Sequence, residues 1–301
     1  MGATSRRRIL LAAALAAGGV GGAGALAGCT AGSPGPGDPA RPPATPLAEP
    51  APAPVAPHLR SFFGPELVMR GRGSFGLADV VVRPAGPGCG WRSAQVWYPA
   101  GSASQASVEA DGAPSGGAQV YLLLRDGPRD ELHLSYRVRF GKGFQFARGG
   151  KLPGLFGGTH VAGGHTPDGT NGFSTRYMWR SGGKGQVYAY LPASTQYGTT
   201  LGLGTWEFVP GRWTAVQQRV RLNTPGRADG SLTVWIDGRE VFRQDGMLYR
   251  STPALRIEGV FFSTFFGGDD LTWASPVDQY ADFATFVVSD RFIWAGPAGL
   301  C

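Results

Sequence analysis

The chain has 301 residues, a formal net charge of +7, 49 glycines and 24 prolines. That length suits one large domain with a sizeable core. Many aromatics among glycines and prolines, with few long runs of helical period, exclude a helical bundle and point to short strands and turns.

In chain order, Ser5-Arg6-Arg7-Arg8-Ile9-Leu10-Leu11 places consecutive arginines before an alanine-rich apolar stretch, which resembles a twin-arginine export signal. It is the one run apolar enough to span a membrane. The stretch ends in Leu26-Ala27-Gly28-Cys29, which resembles a bacterial lipobox and implies that Cys29 is lipidated as the first residue of the mature chain. Residues 1–28 are therefore expected to be a signal peptide, and the mature protein to sit outside the cytoplasm, lipid-anchored or secreted. Removing residues 1–28 takes out three arginines and no acidic residue, leaving 25 basic against 21 acidic residues, net +4. So mild a charge argues against a dedicated nucleic-acid binder.

Residues 29–57 are dominated by Pro, Ala, Gly and Ser and read as a linker spanning up to about 90 Å. Residues 58–301 read as one domain without internal repeat. Its two cysteines, Cys89 and Cys301, form an even pair in an exported chain and are expected to be disulfide-bonded, two separate thiols being the alternative.

Leu134, Tyr136, Val138 and Phe140 alternate with Ser135, Arg137 and Arg139, the mark of a half-buried strand. Phe173, Thr175, Tyr177 and Trp179 alternate with Ser174, Arg176, Met178 and Arg180, and Val187 and Ala189 with Gln186, Tyr188 and Tyr190. Further strands are expected at 213–222, 231–236, 257–266 and 280–288, with Asp237-Gly238 as a hairpin turn. Antiparallel strands with polar-out alternation give an all-β sandwich or jelly roll. Between two of these segments, Gly149-Gly150-Lys151-Leu152-Pro153-Gly154-Leu155-Phe156-Gly157-Gly158 reads as a glycine-rich loop carrying one lysine.

Charge is uneven. Residues 132–184 hold Arg137, Arg139, Lys142, Arg148, Lys151, Arg176, Arg180 and Lys184 against Asp168 alone. Ser174, Arg176 and Arg180 share one strand face, and Tyr188 and Tyr190 share another beside Gln186. A basic strip with tyrosines makes a cradle for a linear polyanion, with Arg137, Arg139, Arg180, His133, Ser174 and Gln186 as candidate substrate contacts. A solvated basic face is the plainer alternative.

Three ordered motifs carry a resemblance. They are Gly150-Lys151-Leu152-Pro153-Gly154-Leu155 with Gly157-Gly158; Arg219-Val220-Arg221-Leu222-Asn223-Thr224-Pro225-Gly226 with Asp229-Gly230; and Phe262-Ser263-Thr264-Phe265-Phe266-Gly267-Gly268 with Trp273 and Tyr280. Together they resemble polysaccharide lyase family 14, the alginate lyase-like group. The resemblance implies an antiparallel β-jelly roll, concanavalin A-like, with a concave basic groove that cleaves an acidic polyuronate such as alginate or glucuronan by β-elimination. It also implies that the family's essential lysine falls on Lys151, its serine and arginine on Ser174 and Arg176, and its Tyr-x-Tyr pair on Tyr188 and Tyr190. The loop with His160, Gly163, Gly164, His165 and Asp168 has no counterpart in that pattern.

These residue types suit elimination. A base takes the C5 proton of a uronate while a cation such as Lys151 or Arg176 stabilises charge building on the carboxylate. A tyrosine near that carbon can serve as base and return a proton to the leaving oxygen. Free tyrosine has a pKa of about 10, so ionisation needs cationic neighbours, which Arg176, Arg180 and Lys151 would supply. A hydrolase needs two flanking carboxylates, and the groove stretch offers only Asp168, with Asp269 and Asp270 as a second source or a turn. His160 and His165 on a glycine-rich loop make a poor zinc site. No cofactor or metal is expected, although calcium stays open through surface carboxylates. The expected partner is an acidic polysaccharide, met by a monomer that touches membrane only through its lipid. The rival from another class is a non-catalytic, lectin-like glycan-binding lipoprotein.

Overall fold

Alternation along the strands sorts side chains onto two faces, and the apolar faces of two sheets meet. The computed structural model describes residues 57–195, 197–268 and 270–294. The chain divides into Met1–Glu49 and Pro50–Cys301. The predicted signal, Cys29, all of the proline-rich tract but Pro57, and Cys301 lie outside the described residues.

The chain runs through β1 (Leu67–Phe75), β2 (Val81–Pro84), β3 (Arg92–Tyr98), β4 (Ala118–Leu124) and β5 (Glu131–Phe140). It continues with β6 (Gly149–Gly158), β7 (Gly172–Arg180), β8 (Gly185–Tyr190), β9 (Thr199–Leu201) and β10 (Trp213–Arg221). Then come β11 (Gly230–Ile236), β12 (Arg239–Met247), β13 (Gly259–Thr264) and β14 (Gln279–Ser289). Two seven-stranded sheets result, ordered β1-β4-β13-β6-β7-β8-β9 and β12-β11-β10-β5-β14-β3-β2. The described pairings are antiparallel, and the architecture is the expected β-sandwich of jelly-roll type.

Between the sheets, Leu134, Tyr136, Val138 and Phe140 of β5 meet Phe173, Tyr177 and Trp179 of β7, all at most 1% exposed. Each such side chain contributes roughly 1.5–3 kcal/mol through burial. Several polar groups trapped there are paired, although the Tyr177 hydroxyl has no partner. The Tyr136 hydroxyl donates to Pro153 O (3.1 Å), the Thr175 hydroxyl to Gln218 Oε1, and Gln218 Nε2 to Thr175 O (3.0 Å). Asp237 and Gly238 turn the β11–β12 hairpin with φ of 49° and 78°, the left-handed pair that a two-residue turn requires.

One expectation is overturned. Residues 149–158 are a strand, β6, at the centre of the first sheet, and all but Gly158 are buried. Its glycines make room for neighbours. A Cβ on Gly150 would lie 2.1 Å from the Trp179 ring, and one on Gly154 would lie 2.2 Å from Thr175 O. A bulge at Pro153 keeps Leu152 and Leu155 both in the core while Lys151 and Phe156 stay outside.

Candidate active site

The outer face of the first sheet carries the polar positions of three adjacent strands. Register sets Lys151 beside Met178 and Gln186, Gly154 beside Arg176 and Tyr188, and Phe156 beside Ser174 and Tyr190. Above them lies a cavity of about 790 Å³ lined by Lys151, Arg176, Met178, Arg180, Tyr188 and Tyr190. Its walls are Gln119 and Tyr121 of β4, Phe261 of β13, Trp273, Tyr197, and the Ala162–Gly164 turn. Among the described lining residues three are cationic and none is acidic.

Lys151 is 8% exposed. Its backbone N–H bonds Phe265 O (2.9 Å), so the 262–268 motif brackets β6. Its ammonium donates to Gly267 O (3.3 Å), touches Met178 Sδ (3.4 Å) and lies 4.5 Å from the centroid of the Tyr188 ring.

Arg176 is 2% exposed, so its charge sits out of water. Nη1 donates to Ser263 Oγ (3.0 Å), and the guanidinium lies over Phe261 (4.6 Å) and beside Tyr190 (5.9 Å). Nε has no hydrogen-bond partner. Burial holds the guanidinium below the usual arginine range, opposed only by the nearby Tyr190, Tyr121 and Tyr188. Farther along β7, Arg180 (5.0 Å) shares the Trp273 ring with Arg148 (4.7 Å). Burial and then the Arg148 charge lower the Arg180 pKa.

Tyr188 departs from expectation. Burial pushes its hydroxyl well above the ordinary tyrosine value, Tyr190 adds to that, and the Gly198 N–H (3.0 Å) and Arg176 offset only part. Desolvation outweighs the cations, so Tyr188 is held protonated rather than ionised. Tyr190 meets it edge to face, with ring centroids 5.6 Å apart.

The structure brings Lys151, Arg176, Arg180, Tyr188 and Tyr190 together and separates the rest. Ser174 is fully buried, and its hydroxyl donates to Val161 O (2.6 Å), so it anchors the 159–171 loop. Gln186 is likewise buried, with Nε2 against Met178 Sδ (3.5 Å) and Oε1 without a partner. His133, Arg137 and Arg139 belong to β5 in the second sheet and point from its outer face, opposite the cavity. Arg139 pairs with buried Asp282 (2.8 Å) and lies over Trp213 (4.6 Å), and Arg137 lies over Trp91 (5.0 Å). His133 meets Gln217 (3.2 Å) and Trp235, and burial and then Arg219 lower its pKa. Alternation assigned these residues correctly to a polar face, but to that of the other sheet.

Phe261, Ser263, Gln119, Tyr121, Met178 and Tyr197 were not expected at the site. Of these, the motif opening at Phe262 signalled Ser263 alone. The His160 and His165 rings lie 5.4 Å apart, and no cluster of metal-binding side chains occurs among the described residues.

The family description Polysaccharide lyase 14 matches residues 90–286. The chain belongs to that family. It is 30% identical to the PL-14 alginate lyase of Aplysia kurodai over 72% of this chain and 89% of that one, with a TM-score of 0.62. It is 27% identical to the alginate lyase Aly36B over 73% and 86% of the two chains, with a TM-score of 0.60. The Chlorella virus alginate lyase vAL-1, 22% identical over 79% and 98%, shares the fold at a TM-score of 0.65. No curated protein matches. The protein is thus a polysaccharide lyase, which sets aside the lectin-like alternative, and the basic cavity is its candidate active site.

Proposed function

We propose that this lyase cleaves a polyuronate of the alginate type by β-elimination in the cavity over β6, β7 and β8. The observation that carries this is Arg176: a buried guanidinium with no carboxylate beside it among the described residues. An unpaired buried charge costs several kcal/mol, and a uronate carboxylate entering the cavity supplies the missing partner. The alginate lyases of Aplysia kurodai and Aly36B favour alginate as the first polymer to try.

In this reading Arg176 holds the carboxylate and Lys151 adds charge where negative charge develops. Tyr190, beside the Arg176 guanidinium, serves as the base that takes the C5 proton. The C–H electron pair becomes the C4=C5 double bond and the C4–O4 bond breaks. Protonated Tyr188 gives its proton to the departing oxygen, and a proton passing from Tyr190 to its neighbour Tyr188 resets the pair.

The test is to incubate the purified lyase with alginate, glucuronan and other polyuronates and follow ultraviolet absorbance. Elimination leaves a conjugated unsaturated uronate on the new end. Absence of that absorbance with every polyuronate, under conditions where the protein is folded, refutes the reading.

A further inference from the structure

We infer that Ser263 and Gln119 are positioning residues that aim the Arg176 guanidinium, through a one-directional hydrogen-bond chain crossing the sheet. Arg176 Nη1 donates to Ser263 Oγ at 3.0 Å. The Ser263 hydroxyl donates to Gln119 Oε1 at 3.2 Å, and Gln119 Nε2 donates to Gly73 O at 2.8 Å. The chain runs from β7 to β13, to β4 and to β1.

Each link has a physical reason. β6 lies between β7 and β13, so the Arg176 side chain must cross it to reach Ser263. It crosses beside Gly154, the register partner of both Arg176 and Phe261, where no side chain stands in the way. Phe261 supports the guanidinium from one side at 4.6 Å. Ser263 is fully buried, so its hydroxyl has no water to turn towards and keeps one orientation. Gly73, with φ of 75° in the irregular stretch between Arg70 and Phe75, offers the terminal carbonyl.

With Nη1 fixed by Ser263 and no acidic partner beside it, the guanidinium stays turned to the cavity. Losing one buried hydrogen-bond partner leaves Nη1 unsatisfied and free to reorient. The effect belongs in the transition state, where alignment with the developing carboxylate charge matters most.

This rests on the role proposed for Arg176, so the test has one readout that needs no catalysis. Ser263→Ala is expected to lower kcat about ten- to a hundredfold, with KM changed less than about threefold. Gln119→Met, which keeps the length but removes the acceptor, is expected to do the same more mildly. The double variant should be no worse than Ser263→Ala, because the two act as one chain. Independently of activity, NMR of the arginine side chains should show slow rotation about the Arg176 Nε–Cζ bond in the parent and fast rotation in Ser263→Ala, with Arg176→Lys assigning the signal. Unchanged kcat in both single variants, losses that add in the double variant, or equal rotation rates each overturn the inference. If no polyuronate is cleaved but the rotation slows as expected, the proposed function fails and the positioning stands. Should Ser263→Ala not fold, half-buried Gln119→Met carries the test by both readouts.

Discussion

The Lys151 ammonium sits 4.5 Å from the centroid of the Tyr188 ring, and the two side chains come from strands with β7 between them. A cation over an aromatic face orders both groups. Yet the charge does not ionise the hydroxyl, which burial keeps protonated. The proposed mechanism therefore puts Lys151 on the carboxylate side of the reaction and Tyr188 in proton delivery. Lys151→Ala should lower kcat about 10²–10³-fold, and polymer affinity far less. Tyr188→Phe should abolish unsaturated product while leaving binding and fold intact. Titration calorimetry with the polymer, beside the absorbance assay, separates the two effects, and wild-type turnover in Tyr188→Phe contradicts the assignment.

Arg176→Met should trade activity for stability. Replacing a buried, unpaired guanidinium with an apolar side chain of similar length removes a desolvation cost. The expected outcome is a Tm equal to or above that of the parent, with no measurable product. A clear fall in Tm would mean that the guanidinium is a net structural asset.

Arg139 serves the fold. Its guanidinium covers Asp282, which is fully buried and also held by Arg83 and Gln95. Arg139→Ala should cost about 2 kcal/mol, below the usual loss on breaking a buried pair because two partners remain. KM and its salt dependence should not change. Denaturant unfolding and kinetics at two ionic strengths check both halves.

Much of this was legible in the residues. Alternation marked the strands around Tyr136, Tyr177 and Val187, and Asp237-Gly238 marked the hairpin. The lysine–arginine–tyrosine set was legible through its motifs, and Lys151, Arg176, Tyr188 and Tyr190 do meet. Period-2 patterning names a face but never a sheet, so His133, Arg137 and Arg139 were grouped with residues on the far side of the sandwich. Glycine density hid β6, because the reason for Gly150 and Gly154 is a neighbour such as Trp179 or Thr175 on another strand. The state of Tyr188 depends on burial, and the Ser263–Gln119 contact joins residues 144 apart in sequence.

We also propose that the mature protein is held at the cell surface by a lipid and braced by a disulfide, a reading that rests mainly on residues outside the described part. Leu26-Ala27-Gly28-Cys29 favours a lipid on Cys29, and the even pair of Cys89 and Cys301 favours a disulfide. Cys29→Ala should move the protein out of the membrane fraction or leave it unprocessed. Mass spectrometry of the unreduced mature protein should find no alkylatable thiol, and two labelled cysteines would refute the bridge.

Alkaline pH should unfold the lyase cooperatively. Tyr98, Tyr136, Tyr177 and Tyr249 are fully buried in the sandwich, and desolvation raises each hydroxyl above the ordinary value of 10.0. In the unfolded chain these groups lose their protons near pH 10, whereas the folded chain keeps them. Above that pH the native state binds more protons than the unfolded state, so stability falls as pH rises. Each tyrosine steepens the fall by about 1.4 kcal/mol per pH unit until its folded pKa is reached. Below about pH 9 none of the four contributes a slope, because both states are protonated. Thermal unfolding followed across this range should give a nearly constant Tm up to that point and a steep decline beyond it. Most of the tyrosinate absorbance should appear together with loss of the β-sheet circular dichroism signal. Titration of these tyrosines near pH 10 with the sheet signal intact would show that the sandwich does not shield them.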